Sequence, residues 1–103
     1  VTKMKEIMSS LRENAPEEIG GLNVLAVRDY LKGVRTTKNG AEKLDTPPSD
    51  VLYFELEDGN WVCVRPSGTE PKIKLYVNTR AQSSEKSEAL NERLRASAQE
   101  LLR

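Results

Sequence analysis

Eight consecutive residues, Arg65-Pro66-Ser67-Gly68-Thr69-Glu70-Pro71-Lys72, concentrate groups that could do chemistry. Arg65 offers a planar fork of N–H donors that suits two oxygens of a phosphate and never loses its charge. Ser67 and Thr69 add hydroxyl donors on either side of Gly68. Gly68 itself opens backbone angles at which successive amides converge on one point. Pro66 and Pro71 stiffen the shoulders, which lowers the entropy lost when a ligand orders the segment. Each part suits an oxyanion, and a tetrahedral phosphate dianion uses them all. Two considerations pull the other way. Hairpin loops carry Ser, Gly, Thr and Pro for backbone reasons alone, and Glu70 must point away from any bound anion. The spacing is not that of a Walker loop, because Gly-x4-Gly-Lys-Ser/Thr is missing and a strand pattern follows where a helix belongs. The residues by themselves leave both a phosphate site and a plain connecting loop open.

Elsewhere the chemistry is thin. The 103 residues contain no His and a single Cys. The commonest general base at neutral pH, the commonest metal ligand, an internal disulfide and a Cys-type zinc site therefore drop out. Sixteen Lys+Arg balance sixteen Asp+Glu, and zero net charge speaks against nucleic-acid and anionic-membrane partners. Only five residues are aromatic (Tyr30, Tyr53, Phe54, Trp61, Tyr76), so the core must be mostly aliphatic. No apolar run approaches the roughly 20 residues of a membrane helix, and no signal-peptide h-region is present. The expectation is one small cytoplasmic domain over residues 1–103 that binds rather than catalyses. The chain opens Val-Thr-Lys, straight into a helical pattern, which suggests a piece of something longer.

The elements that must position the segment follow from periodicity. Met4, Ile7, Met8, Leu11 and Ala15 recur at helical spacing over residues 2–14, with Thr2 as a possible cap and Ala15-Pro16 as the stop. Gly20-Gly21 releases the chain into a short apolar strand, Leu22–Val27. Residues 36–50 form the longest irregular stretch, punctuated by Asn39-Gly40 and Pro47-Pro48, and are expected to be a mobile loop. Leu52, Phe54 and Leu56 alternate with polar partners; Asp58-Gly59 turns the chain, and Trp61–Arg65 returns as the second arm of a hairpin. Ile73, Leu75 and Val77 alternate just as clearly. Ser83 or Ser84 then caps a helix to about Leu102 with Leu90, Leu94, Ala98 and Leu101 on its apolar stripe. The sum is an α+β domain of two layers, a mainly antiparallel sheet covered on one face by two helices.

Arg65 to Lys72, followed by Ile-Lys-Leu-Tyr, resembles the phosphate-binding loop of the α-D-phosphohexomutase superfamily, and within it the bacterial phosphoglucomutase/phosphomannomutase group. The approach Ser49-Asp50-Val51-Leu52, the Asp29-Tyr30 pair and the terminal helix also fall where that family's last domain has them, so the resemblance covers essentially the whole chain. It implies a TATA-binding-protein-like fold and a place as the C-terminal domain of a four-domain enzyme. That enzyme interconverts hexose 1-phosphate and hexose 6-phosphate through a bisphosphorylated sugar. Arg65, Ser67, Gly68 and Thr69 would then hold the phosphate that is not being transferred. Catalytic residues would be absent from these 103 residues, which would be inactive alone. The partners implied are the phosphosugar and the three other domains; magnesium and a hexose 1,6-bisphosphate activator would serve the full enzyme, and neither is expected to be bound here. Lys72 after Pro71 is closer to hexose-phosphate mutases than to the glucosamine-phosphate type, and glucose or mannose preference is not legible.

Other residues have plainer readings. Cys63 is expected to be a packed or half-exposed thiol, Trp61 to cover a sheet edge, and Glu57-Asp58-Gly59 to be a turn rather than a metal site. The excess of basic residues between Arg28 and Lys43, with Lys72 and Lys74, reads as a solvated face or as a positive field around the loop. Two competing functions remain for the architecture, a nucleic-acid-binding module and a purely structural one.

Overall fold

A computed structural model of the chain describes residues 2–67, 72–80 and 83–102. Helix α1 (Thr2–Glu13) leads into strands β1 (Glu18–Ile19), β2 (Leu22–Asp29), β3 (Val34–Thr37), β4 (Gly40–Lys43), β5 (Leu52–Leu56), β6 (Trp61–Pro66) and β7 (Ile73–Asn78), and helix α2 (Ser84–Leu101) closes the order. All ladders are antiparallel, and the main sheet runs β4-β3-β2-β5-β6-β7 with β1 paired to β2 at one side. The expected two-layer α+β arrangement is what forms.

Alternation decides which face is buried. Register places Val27, Phe54, Val62 and Val77 in one cross-strand row, and Leu52, Val64 and Leu75 in the next. Met8 and Leu11 of α1 and Leu94 and Ala98 of α2 complete the same cluster, so both helices lie on this face. Ile7, Leu90 and Leu101 pack around its margin, while Ala15 lies past the helix end and is exposed. The side chains of Thr2 and Met4 lie outside those described. Phe54 is the one aromatic ring fully inside, and the core is otherwise built from Leu, Val, Ile, Met and Ala.

Caps and turns account for the boundaries. The Ser83 hydroxyl accepts from the Lys86 amide and starts α2. Gly20 is needed twice over: its φ is +58°, and a Cβ there would stand 2.7 Å from Leu94 Cδ2. Its amide donates to the Ser97 hydroxyl at 3.0 Å, tying the β1–β2 turn to α2. Between β5 and β6 the chain makes a single 3₁₀ turn, with Asp58 at φ +59°. Buried Asn60 locks it by donating to the Glu57 carbonyl at 2.8 Å and accepting from the Arg80 amide at 2.6 Å.

The stretch 36–50 corrects the sequence reading. Its first half is not an irregular loop: β3 and β4 form a hairpin from Val34↔Lys43 to Thr37↔Gly40. Every residue of β4 is exposed, so no apolar alternation marks the strand in the sequence. Polar contacts hold the hairpin instead. Arg35 reaches Glu42 at 2.9 Å, and the Thr37 hydroxyl accepts from the Asn39 amide at 3.2 Å. The irregular part shortens to residues 44–51, pinned by the Leu44 amide on the Gly33 carbonyl and the Ser49 amide on that of Tyr30.

Candidate functional site

The segment 65–72 begins inside β6 and ends at the threshold of β7. Arg65 sits on β6 directly opposite Lys74, and Pro66 opposite Ile73, so the ladder runs right up to the loop. The Ser67 amide donates to the Lys72 carbonyl at 2.8 Å and closes the loop's neck. Gly68 and Thr69, predicted to share the site, lie outside the described residues, as do Glu70 and Pro71. Arg65 and Ser67 are described, and they differ in setting: Arg65 is exposed, whereas Ser67 is buried.

Arg65 projects from the face of the sheet opposite the helices. That face carries a cross-strand row Glu42–Arg35–Arg28–Tyr53–Cys63–Tyr76. Tyr53 and Trp61 stack there with centroids 5.0 Å apart. Trp61 therefore does not cover a sheet edge as expected, because β6 is flanked on both sides by β5 and β7. Arg28 lies over Tyr53 at 4.9 Å, and Arg65 over Tyr76 at 5.7 Å.

The charges on this face are unevenly matched. Glu55 accepts from Arg35 Nε at 2.6 Å and Nη2 at 3.0 Å, and from Arg28 Nε at 2.9 Å. The hydrogen bonds from Arg35, reinforced by those from Arg28 and opposed by burial, hold the Glu55 carboxyl down to about 2. Arg35 also binds Glu42. These pairings neutralise Arg28 and Arg35, so they add little to any positive field around the loop. Arg65 and Lys74 are different. They stand opposite each other as like charges, an arrangement that costs stability without an anion between them. Among the described residues no carboxylate pairs with Arg65.

The remaining candidates settle into structural roles. Burial pushes the Cys63 thiol above its ordinary value, with Arg65 pulling weakly the other way, so it stays protonated and unreactive at neutral pH. The Glu57 carboxylate accepts from the Asn23 amide at 2.6 Å and braces the turn. Among the described residues no group of three or more Asp, Glu, Cys or His could hold a metal ion, and no helix is long and apolar enough to cross a membrane. A groove of about 430 Å³ opens over β2 and β3, lined among others by Pro16, Asn23, Leu25 and Thr36, and neither Arg65 nor Ser67 is among its lining residues. Tyr76 is the residue at the site that the sequence reading missed as a partner of Arg65. The alternation Lys72-Lys74-Tyr76 marks it as outward-facing, but only the register puts it beside the arginine.

A family model described as "Phosphoglucomutase/phosphomannomutase, C-terminal domain" matches residues 10–97. Among curated proteins, the chain is 44% identical over 78 residues to a phosphoglucomutase of Staphylococcus aureus strain MRSA252, covering 74% of this chain and 14% of that protein. It is 40% identical over 83 residues to that of strain MSSA476, covering 79% of this chain and 15% of the relative. The matched region thus spans about one-seventh of the length of these relatives. No solved structure matches the chain significantly.

Proposed function

The chain belongs to the phosphoglucomutase/phosphomannomutase C-terminal domain family, and on that premise we propose that it is the substrate-phosphate-holding domain of a longer phosphohexomutase. The observation that carries this reading is Arg65: an exposed guanidinium without a carboxylate partner among the described residues, at the neck of a loop closed by a 2.8 Å hydrogen bond. Arg65 supplies a charge-assisted fork to the phosphate. Ser67 supplies its hydroxyl, since its amide is already given to Lys72. Gly68 and Thr69 supply backbone amides and a second hydroxyl.

The reaction explains why such a grip is useful. Moving a phosphoryl group between the 1- and 6-positions of a hexose through a bisphosphorylated intermediate requires the sugar to turn around between two transfers. One site must then accept either phosphate in turn. A loop that reads phosphate and ignores the sugar meets that need, and it contributes by positioning rather than by chemistry. The phosphoryl-transferring groups, and any magnesium and bisphosphate activator, belong on this reading to the other three domains of the same chain. The described carboxylates do not fit a metal site, so no step runs through one here.

The test is a titration of this chain with inorganic phosphate, followed by the amide resonances of residues 65–72. A half-solvated site should bind with a dissociation constant no tighter than ~1 mM, about 4 kcal/mol. Arg65→Ala should abolish the shifts while leaving the rest of the spectrum in place. Absence of any shift around the loop in the unmodified chain sinks the assignment. In an isomerase assay the purified chain should show no turnover with glucose 1-phosphate, and measurable turnover refutes the division of labour.

A further inference from the structure

The arginines that make side-chain contacts on or beside the sheet fall into two kinds. Arg12, Arg28 and Arg35 are each gripped by carboxylates, with N–O distances between 2.6 and 3.0 Å. Arg65 has no such partner among the described residues, and its Cζ lies 5.7 Å from the centroid of the Tyr76 ring. The difference matters for what each guanidinium can still do. A carboxylate occupies the N–H edge, which is the edge a phosphate would use. An aromatic face attracts the cation through its quadrupole and leaves the N–H edge uncommitted.

Register explains how the pair arises. Arg65 is opposite Lys74 and Cys63 is opposite Tyr76, so Tyr76 is the diagonal neighbour of Arg65 on the helix-free face. Its ring is 40% exposed and contributes nothing to the core cluster. Without the ring, Arg65 would be a long, rotamer-rich side chain repelled by Lys74, and binding would have to freeze it afresh.

We infer that Tyr76 is a positioning residue for Arg65: its ring holds the guanidinium on the open face of the sheet with the N–H donors unspent, ready for a phosphate. The inference rests on the reading of Arg65 as a phosphate ligand, and Tyr76 itself touches no reacting atom.

Two readouts separate the inference from that reading. The first needs no ligand. In the free chain the Arg65 Nε–Hε resonance should carry a ring-current shift that Tyr76→Phe keeps and Tyr76→Leu removes. The second is affinity for inorganic phosphate at fixed ionic strength. Tyr76→Phe should bind like the unmodified chain, and Tyr76→Leu about two- to fivefold more weakly. Should the leucine variant not fold, Tyr76→Thr takes its place, since a β-branched residue suits an exposed strand position. An Arg65 resonance indifferent to loss of the ring, or undiminished phosphate affinity without it, overturns the inference. If the unmodified chain binds no phosphate, the functional reading falls, and the ligand-free resonance still decides whether Tyr76 holds Arg65.

Discussion

Replacing Glu55 by Gln tests the electrostatics of the open face most directly, because the substitution keeps the shape and removes one charge. The carboxylate sits between two guanidiniums, doubly bonded to Arg35 and singly to Arg28. Holding a carboxyl at about 2 against an ordinary 4.5 is worth at most ~3 kcal/mol of folding stability in the charged state. The Glu55 side chain retains 23% of its exposure on the solvent-facing side of the sheet. Screening therefore brings the expected value down to ~1–2 kcal/mol. The folded pKa is the depressed one, so this stabilisation is fully present above about 4.5 and is lost as the pH falls through about 2. Urea unfolding of the parent chain and Glu55→Gln, followed by circular dichroism across the acid range, reads the difference. The variant should be less stable by ~1–2 kcal/mol at neutral pH, and the gap should close toward the acid end. A gap that stays constant down to the lowest pH at which both chains fold would refute the reasoning, since the loss would then come from packing.

Three further substitutions probe how the layers are joined. Arg12 donates to Asp29 at 2.9 Å and to Asp50 at 2.8 Å, with Arg12 and Asp29 only 10% and 11% exposed; Arg12→Met leaves the buried Asp29 carboxylate with the Leu31 and Lys32 amides but without this cation and should cost ~3 kcal/mol, lowering Tm in a thermal melt by more than ~10 °C. Asp50→Asn, at the more exposed end of the same network, should cost under ~1 kcal/mol in that melt. Leu94→Ala empties a fully buried position against Gly20 and should cost ~2–5 kcal/mol by denaturant unfolding.

What could be read from the sequence follows from where apolar burial lies. β5, β6 and β7 each have one face in the core, and Phe54, Val62 and Val77 announce it by alternation. The β3–β4 hairpin gives no such sign, because Arg35, Glu42 and Thr37 hold it by polar contacts that leave no hydrophobic period. Only Asn39-Gly40 hinted at the turn. At the candidate site, residue type pointed to Arg65 and Ser67, since a guanidinium fork and a hydroxyl are chemically explicit. Tyr76 and Lys74 are its neighbours through ladder register, which depends on how many residues the intervening loop consumes and is not a local property of the chain. For the same reason the residues around Trp61 point to a sheet edge although β6 is interior.

Strand order carries a mechanical consequence. β1 to β4 neighbour one another in sequence and in space, as do β5 to β7, and among the described residues the β2–β5 ladder is the only strand pairing between the two blocks. That seam is imperfect: its register slips between Val24 and Ala26, leaving Leu25 bulged and 52% exposed. Glu55, on one block, reaches Arg28 and Arg35 on the other and acts as a rivet across it. Arg65, Tyr76 and the Ser67–Lys72 closure all belong to the second block. Strain that prised the seam open would leave β6 and β7, the strands that carry the candidate site, still paired to each other.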